Sequence, residues 1–325
     1  MKNFTIRRYK TKDAEHWNAF ISAAKNATFL FHRHFMDYHA DRFKDFSLLA
    51  FADDKLVAIL PANLVENSVF SHSGLTYGGL VYAEKLRLEE VIFAFRAVLS
   101  FLNENKIDTL QLKLLPSVYH KKPAQELDYA LFLTEAKLIR RDTLAVIDLS
   151  KKYDYSEIRK RGIKKAVAAQ LEIREDKNFD GFWNEILIPN LKKQHDAQPV
   201  HRLEEIKLLQ QNFPKNIRQF NVYDNGKVVA GTTIFETETT AHAQYISTNE
   251  NRETVGSLDF LYDHLLKIVF KEKRYFDFGI SNESGGKRLN SGLSYWKESF
   301  GASTIVHDFY EVKTENFTLL DNILL

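Results

Sequence analysis

The sequence predicts a mixed α+β fold in two tandem domains, each a mostly antiparallel, twisted sheet flanked by helices. Three observations point there. Amphipathic helical stripes and short period-two apolar segments follow one another along all 325 residues. The same order of elements occurs twice. The two copies also share a hairpin tetrapeptide, KLVA at 55–58 and KVVA at 227–230, 172 positions apart. A repeat of that length indicates a duplicated domain rather than a solenoid, whose units run to about 20–50 residues. The length is also generous for a single hydrophobic core.

In the first copy, Trp17, Phe20, Ile21 and Ala24 mark one helix face at i, i+3, i+4 and i+7. A hairpin over 46–51 and 56–64 turns through Asp53 and Asp54, and a third strand is expected over 75–82. Leu88, Val91, Ile92, Phe95, Val98, Leu99 and Leu102 then form a long helical stripe. Leu110, Leu112 and Leu114 alternate with Gln111 and Lys113, the pattern of a half-buried strand, and a further strand is expected over 143–149. The second copy opens with helical patterns over 179–194 and 202–212. Its hairpin, 217–223 and 227–235, turns through Asn225-Gly226, a dipeptide suited to the left-handed positions of a tight turn. A strand over 240–247, a helix over 256–270 and a strand over 274–278 follow. The expected domains are therefore 1–150 and 172–325, joined by a basic linker helix over 151–171.

Composition narrows the function classes. With no cysteine, disulfides, thiolate nucleophiles and cysteine-bound metals are excluded. Forty-five basic residues against 43 acidic ones leave a net charge of +2, which gives no global reason for a DNA or membrane partner. The N-terminus lacks the apolar core of a signal segment, and no apolar run reaches the roughly 18 residues of a span, so the expected location is the cytoplasm. His32, His34 and His39 stand at i, i+2 and i+7 with no acidic ligand pattern around them, and no metal is expected there.

The α-β-β-β-α-β order of each copy resembles the GNAT acyltransferase fold. Two such copies in tandem resemble the FemAB-like family. The resemblance is carried by KVVAG at 227–231, AQYIS at 243–247, YFDFG at 275–279, WKESFG at 296–301 and the basic segment RKRGIKKA at 159–166. It implies an N-acyltransferase using an activated donor, acyl-CoA such as acetyl-CoA or an aminoacyl-tRNA. It also implies an acceptor amine on a cell-envelope precursor or nucleotide-linked amino sugar, bound between the halves. Two departures bear on the donor. The loop before the second long helix, NRETVGS at 251–257, has one glycine where acetyl-CoA enzymes carry several, and the 179–212 region is too short for the helical arm of the tRNA-dependent enzymes. Of these donors tRNA is the less favoured, since the basic run 159–165 carries no interleaved aromatics and reads first as a solvated helix face.

The chemistry-bearing residues concentrate after the strand at 275–278. An acyl transfer needs a base for the incoming amine and a donor for the oxyanion. Asp277 or Glu283 suits the first role, Ser281 or Asn282 the second, and Lys297 beside Trp296 offers a fixed cation next to an aromatic cover. The plainer alternatives are a turn rich in turn-forming residues and an amphipathic helix with a snorkelling lysine. Tyr245, as proton donor to the leaving group, and His242, as base, stand on the preceding strand. Strict alternation there puts His242 with Gln244, and Tyr245 with Ala243. Arg252, Gly256 and Ser257 open the 256–270 helix, whose N-terminus would hold a donor phosphate; a plain helix cap reads the same. Within the resemblance, His72 and Tyr77 in the small-residue loop 71–79, with His32 and Tyr38, fall on the acceptor side. A non-catalytic ligand-binding protein with the same fold is the alternative function.

Overall fold

A computed structural model describes residues 2–249 and 256–324, which divide into two compact units, Met1–Asp142 with Val306–Leu325, and Thr143–Ile305. Strands in chain order are β1 (Phe4–Arg8), β2 (Leu48–Ala52), β3 (Lys55–Leu60), β4 (Asn63–Val65), β5 (Ser68–Ser71), β6 (Val81–Tyr82), β7 (Thr109–Lys113) and β8 (Lys137–Asp148). They continue with β9 (Glu172–Asp176), β10 (Ile217–Asp224), β11 (Lys227–Glu236), β12 (Thr240–Thr248), β13 (Tyr275–Ile280), β14 (Asn282–Glu283), β15 (Arg288–Leu289) and β16 (Ser303–Lys313). No described helix is long and apolar enough to cross a membrane.

In the first unit, β1, β2, β3 and β6 form an antiparallel sheet, and a second sheet runs in the order β4-β5-β7-β16. The expected hairpin is present, with Leu48 paired to Leu60. The third strand is not the expected 75–82. Only Val81–Tyr82 of that stretch is strand, and the place beside β7 is taken by Ser68–Ser71, running parallel to it from Ser68↔Thr109 to Ser71↔Leu112. The reason is local: Asn67 and Glu66 turn β4 tightly into β5, with Glu66 at φ +51, while the chain over 72–77 carries no ladder. The helix Leu88–Glu104 buries Val91, Phe95, Val98, Leu99 and Leu102 in one apolar core with Leu110 and Leu112 of β7, as its stripe predicts. The C-terminal segment departs from the expected bounds. From Val306 onward the chain belongs to the first unit, because β16 pairs antiparallel with β7 and buries Val312 and Leu320 in this core.

In the second unit the sheet order is β8-β13-β12-β11-β10-β9, the β8 portion beginning at Thr143. All neighbours are antiparallel except β12 and β13. One face is apolar: Phe220, Val222, Ile234, Ala241, Ala243, Phe276 and Phe278 meet Leu261, Tyr262, Leu265 and Leu266 of the helix beginning at Ser257. The opposite face is polar yet buried, with Gln219, Asn221, Thr233, His242 and Asp277 beneath the helical segments Gly181–Leu187 and Leu203–Asn212.

The basic segment forms the helix Glu157–Ala168, and it is more than a solvated face. It packs on the helix Ser257–His264 through glycine. A Cβ on Gly162 would lie 1.7 Å from Asp259 Oδ2, and one on Gly256 would lie 2.2 Å from the Gly162 carbonyl oxygen. Asp259 is in turn ion-paired with Arg159. Helix propensity alone favours alanine over glycine by about 1 kcal/mol. We expect Gly162→Ala to destabilise by about 1–3 kcal/mol instead, the range for overpacking, read as the urea midpoint. A stabilised variant would contradict this contact.

Candidate functional site

The chemistry-bearing residues of the second unit gather where two parallel strands part. β12 and β13 pair at Thr240↔Tyr275, Ala241↔Phe276 and His242↔Asp277, and no further. On the other side of β13 the register with β8 shifts between Asp277 and Ile280. Backbone groups beyond Asp277 therefore need partners outside the ladder, since a buried carbonyl left unpaired is costly.

Lys297 supplies them. The helix Ser291–Glu298 starts at Asn290, whose side chain caps it by accepting from Leu293 N at 3.0 Å. Trp296 seats its last turn, edge-on to Tyr262 (5.5 Å), Phe278 (5.7 Å) and Phe300 (5.2 Å). The next side chain is thereby aimed at the strand end. Lys297 Nζ donates to Gly279 O at 3.0 Å and to Ile280 O at 2.6 Å, and the residue is 2% exposed. Its cation has no carboxylate within ion-pair distance among the described residues. Burial pushes its pKa down to about 8, with Asp277 pulling the other way.

Asp277 lies between Phe276 and Phe278 but on the other side of the strand, 0% exposed. Its Oδ1 accepts from Gly279 N at 2.7 Å, and its Oδ2 meets His242 Nδ1 at 3.0 Å. A proton assigned to Nδ1 by this carboxylate puts the imidazole lone pair on Nε2. Gly279 joins all three groups: its N–H holds Asp277, its carbonyl holds Lys297, and a Cβ on it would stand 3.3 Å from His242 Cε1. Its φ of +75° is left-handed, which an L side chain adopts at a cost of about 1–2 kcal/mol. Ser281 follows closely, buried, with no partner for its hydroxyl among the described residues.

The other expected residues sit differently. Asn282 Oδ1 accepts from Thr143 N (2.5 Å) and Thr143 Oγ1 (2.7 Å), so it ties the loop to β8 rather than facing a ligand. Glu283 is exposed on the β14–β15 hairpin, where its carboxylate accepts from Asn290 Nδ2 at 3.2 Å. It does not join the buried cluster. A bulge opposite Thr233/Ile234 changes the alternation of β12: Tyr245 pairs with Thr233 and Ala243 with Ile234. Tyr245 is thereby turned to the His242 face, where its hydroxyl meets His201 Nδ1 at 2.7 Å and its ring lies edge-on to Trp183 at 5.0 Å. His201 carries no local signal that would have marked it in the sequence.

The expected phosphate cradle is filled. Arg252 lies outside the described residues. Gly256 adopts φ +66 against the Gly162 backbone, and Ser257 is fully buried with its hydroxyl 3.1 Å from Thr248 Oγ1. The first turn already holds a carboxylate, Asp259, with its arginine. The local sequence of a helix start is the same whether an anion or another helix covers it.

In the first unit, His32 caps the short helix Arg33–Met36 through Nδ1, and burial, with His34 adding to it, pushes its pKa down to about 4. Tyr77 is a core residue, donating to Thr28 Oγ1 at 3.1 Å and packed on Phe31 and Tyr119. Tyr38 and His72 are linked by a ring stack through His39, with centroids 4.3 Å and 5.4 Å apart.

Solved structures share this fold at low identity. FemX matches over 97% of this chain and 99% of its own, with a TM-score of 0.66 at 10% identity. L-PGS from Bacillus licheniformis matches over 97% and 96%, with a TM-score of 0.61 at 10% identity. A tandem GNAT protein from the clavulanic acid biosynthesis pathway matches over 97% and 99%, with a TM-score of 0.53 at 12% identity. No protein-family model and no curated protein matches the sequence. The chain has the tandem GNAT fold of FemX, with mixed α/β architecture.

The buried cation gives a pH signature. The folded chain releases the Lys297 proton near pH 8, whereas the unfolded chain holds it to the ordinary value of 10.5. Between those values the unfolded state carries more protons, so stability contributed by this group rises with pH. Measured against Lys297→Met by denaturant midpoints, the wild type should gain stability across that window. A pH-independent difference would show that the ammonium is not buried.

Proposed function

We propose that the chain is an N-acyltransferase of the tandem GNAT type whose chemistry resides in the second unit, at the parting of β12 and β13. The observation that carries the reading is Lys297, a buried cation fixed on two carbonyls, beside the His242–Asp277 pair and the unpartnered Ser281 hydroxyl. An acceptor amine attacks the donor carbonyl and a C–N bond forms. Lys297 N–H and Ser281 O–H stabilise the oxyanion, His242 Nε2 takes the amine proton, and collapse breaks the bond to the leaving oxygen or sulfur, which leaves protonated. Asp277 acts as a positioning residue, holding the imidazole. Tyr245, paired with His201, is the candidate proton donor to the leaving group. Preorganised donors of this kind contribute about 10²–10³-fold to rate.

The filled cradle at Gly256 and Ser257 bears on the donor. Acyl-CoA recognition through that helix N-terminus would require the helix Glu157–Ala168 to leave it. The reading therefore favours an aminoacyl ester, as on a tRNA, over acetyl-CoA, reversing the preference drawn from the basic run alone. The acceptor is read as an amine on a cell-envelope precursor or nucleotide-linked amino sugar.

The test is amide formation with labelled aminoacyl-tRNA or acetyl-CoA and amino-sugar acceptors. Lys297→Met is expected to lower kcat by about 10²–10³-fold while its melting transition stays cooperative. His242→Gln should lower the rate comparably. Consumption of acetyl-CoA with no use of aminoacyl-tRNA would overturn the donor assignment. Full turnover by Lys297→Met would overturn the site.

A further inference from the structure

The first unit has a strand parting of its own. β5 runs parallel to β7 as far as Ser71↔Leu112, then the chain leaves through 72–77 and touches β7 again at the Gly78↔Leu114 bridge. In β7, Leu110 and Leu112 face the core, so Gln111 and Lys113 face the other side, together with Phe70 of β5 and Phe309 of β16. A cavity of about 160 Å³ opens on that side, walled by Phe70, His72, Lys113, Ile139, Phe309 and Tyr310.

Lys113 and His72 line this largely apolar space, beside Ser71, Ser73 and Gln111. Lys113 Nζ donates to Leu75 O at 2.6 Å and lies 5.8 Å from the centre of the Phe309 ring. The acids nearby are engaged elsewhere. Asp142 is held by Arg140 at 2.7 Å, Glu311 by Gln111 Nε2 at 2.9 Å, and Asp308 by Arg141 at 2.6 Å. Among the described residues no carboxylate pairs with Lys113, so a half-buried cation faces the cavity without a counter-ion. His72 is 4% exposed and its Nδ1 accepts from Gly74 N at 3.1 Å, which assigns the proton to Nε2. Burial, with His39 adding to it, holds this ring neutral, its pKa pushed down to about 3.

We propose that this cavity binds a small carboxylate with an apolar body, Lys113 serving as its counter-ion and His72 as a neutral hydrogen-bond donor. A cation removed from water gains most from a paired anion. The apolar walls suit a ring or short chain, whereas a phosphate dianion would leave oxygens without donors against Phe70 and Phe309. The binding site lies within the first unit and does not depend on the reaction read from the second.

The experiment is ligand-observed NMR and calorimetry with benzoate and with benzamide, its neutral isostere. Wild type is expected to bind benzoate at least about tenfold more tightly, a preference worth about 1.4 kcal/mol. Lys113→Met should abolish the preference, and Lys297→Met should leave it unchanged. Equal binding of the two probes, or benzoate binding undiminished in Lys113→Met, would overturn the proposal. Should Lys113→Met fail to fold, Ile139→Trp at the exposed rim, which fills the cavity with Lys113 in place, must abolish benzoate binding. Retention there would overturn it equally.

Discussion

The parting of two parallel strands is the constraint from which the proposed chemistry of this chain follows. Parallel neighbours satisfy each other's backbone only while they stay in register. In the second unit the register with β12 ends at His242↔Asp277, so the carbonyls of Gly279 and Ile280 find no partner on β12, although Ile280 still pairs with Leu144 of β8. A lysine brought in from a later helix meets them, and an ammonium becomes buried as a consequence. A cation so placed costs desolvation, which its two carbonyls and the neighbouring Asp277 offset in part. What is left is a donor held rigid in a low-dielectric setting, where an oxyanion gains most from it.

Parallel strands part in both units, with different outcomes. In the first unit β5 leaves β7 after Ser71↔Leu112, and again a lysine, Lys113, reaches a carbonyl beyond the break, that of Leu75. In both units the apolar residues of the strands face a helix and the alternate residues face the opposite side. There the second unit buries His242 and Asp277, while the first encloses a cavity against Phe309. Gly279 explains why the second unit can hold a compact acid–imidazole–ammonium set. A residue with φ of +75° and no Cβ lets one peptide serve Asp277 and Lys297 while His242 packs against it.

Much of the fold was legible because each element carries its own period. Leu110, Leu112 and Leu114 announce β7, and the stripe from Val91 to Leu102 announces the helix that shares its core. Asn225-Gly226 fixes the β10–β11 turn. The strand expected over 75–82 was misplaced because Leu75, Tyr77 and Leu80 look strand-like, although they bury as parts of an irregular return. The pairing of β16 with β7 joins residues about two hundred positions apart, and nothing local to either strand records it. The candidate site was legible in composition rather than geometry. Asp277 and Lys297 stood out as polar groups between aromatics, whereas the filling of the Gly256 cradle depends on Gly162, nearly a hundred residues earlier. The turning of Tyr245 depends on a bulge that alternation cannot reveal.

Two lysines, Lys113 and Lys297, are held at strand partings rather than in water. A lysine-selective carbon-13 NMR titration of the full chain, assigned with Lys113→Met and Lys297→Met, measures this directly. Both side chains are expected to titrate near pH 8, apart from the bulk of the lysines. Titration of both at the ordinary lysine value of 10.5 would contradict it.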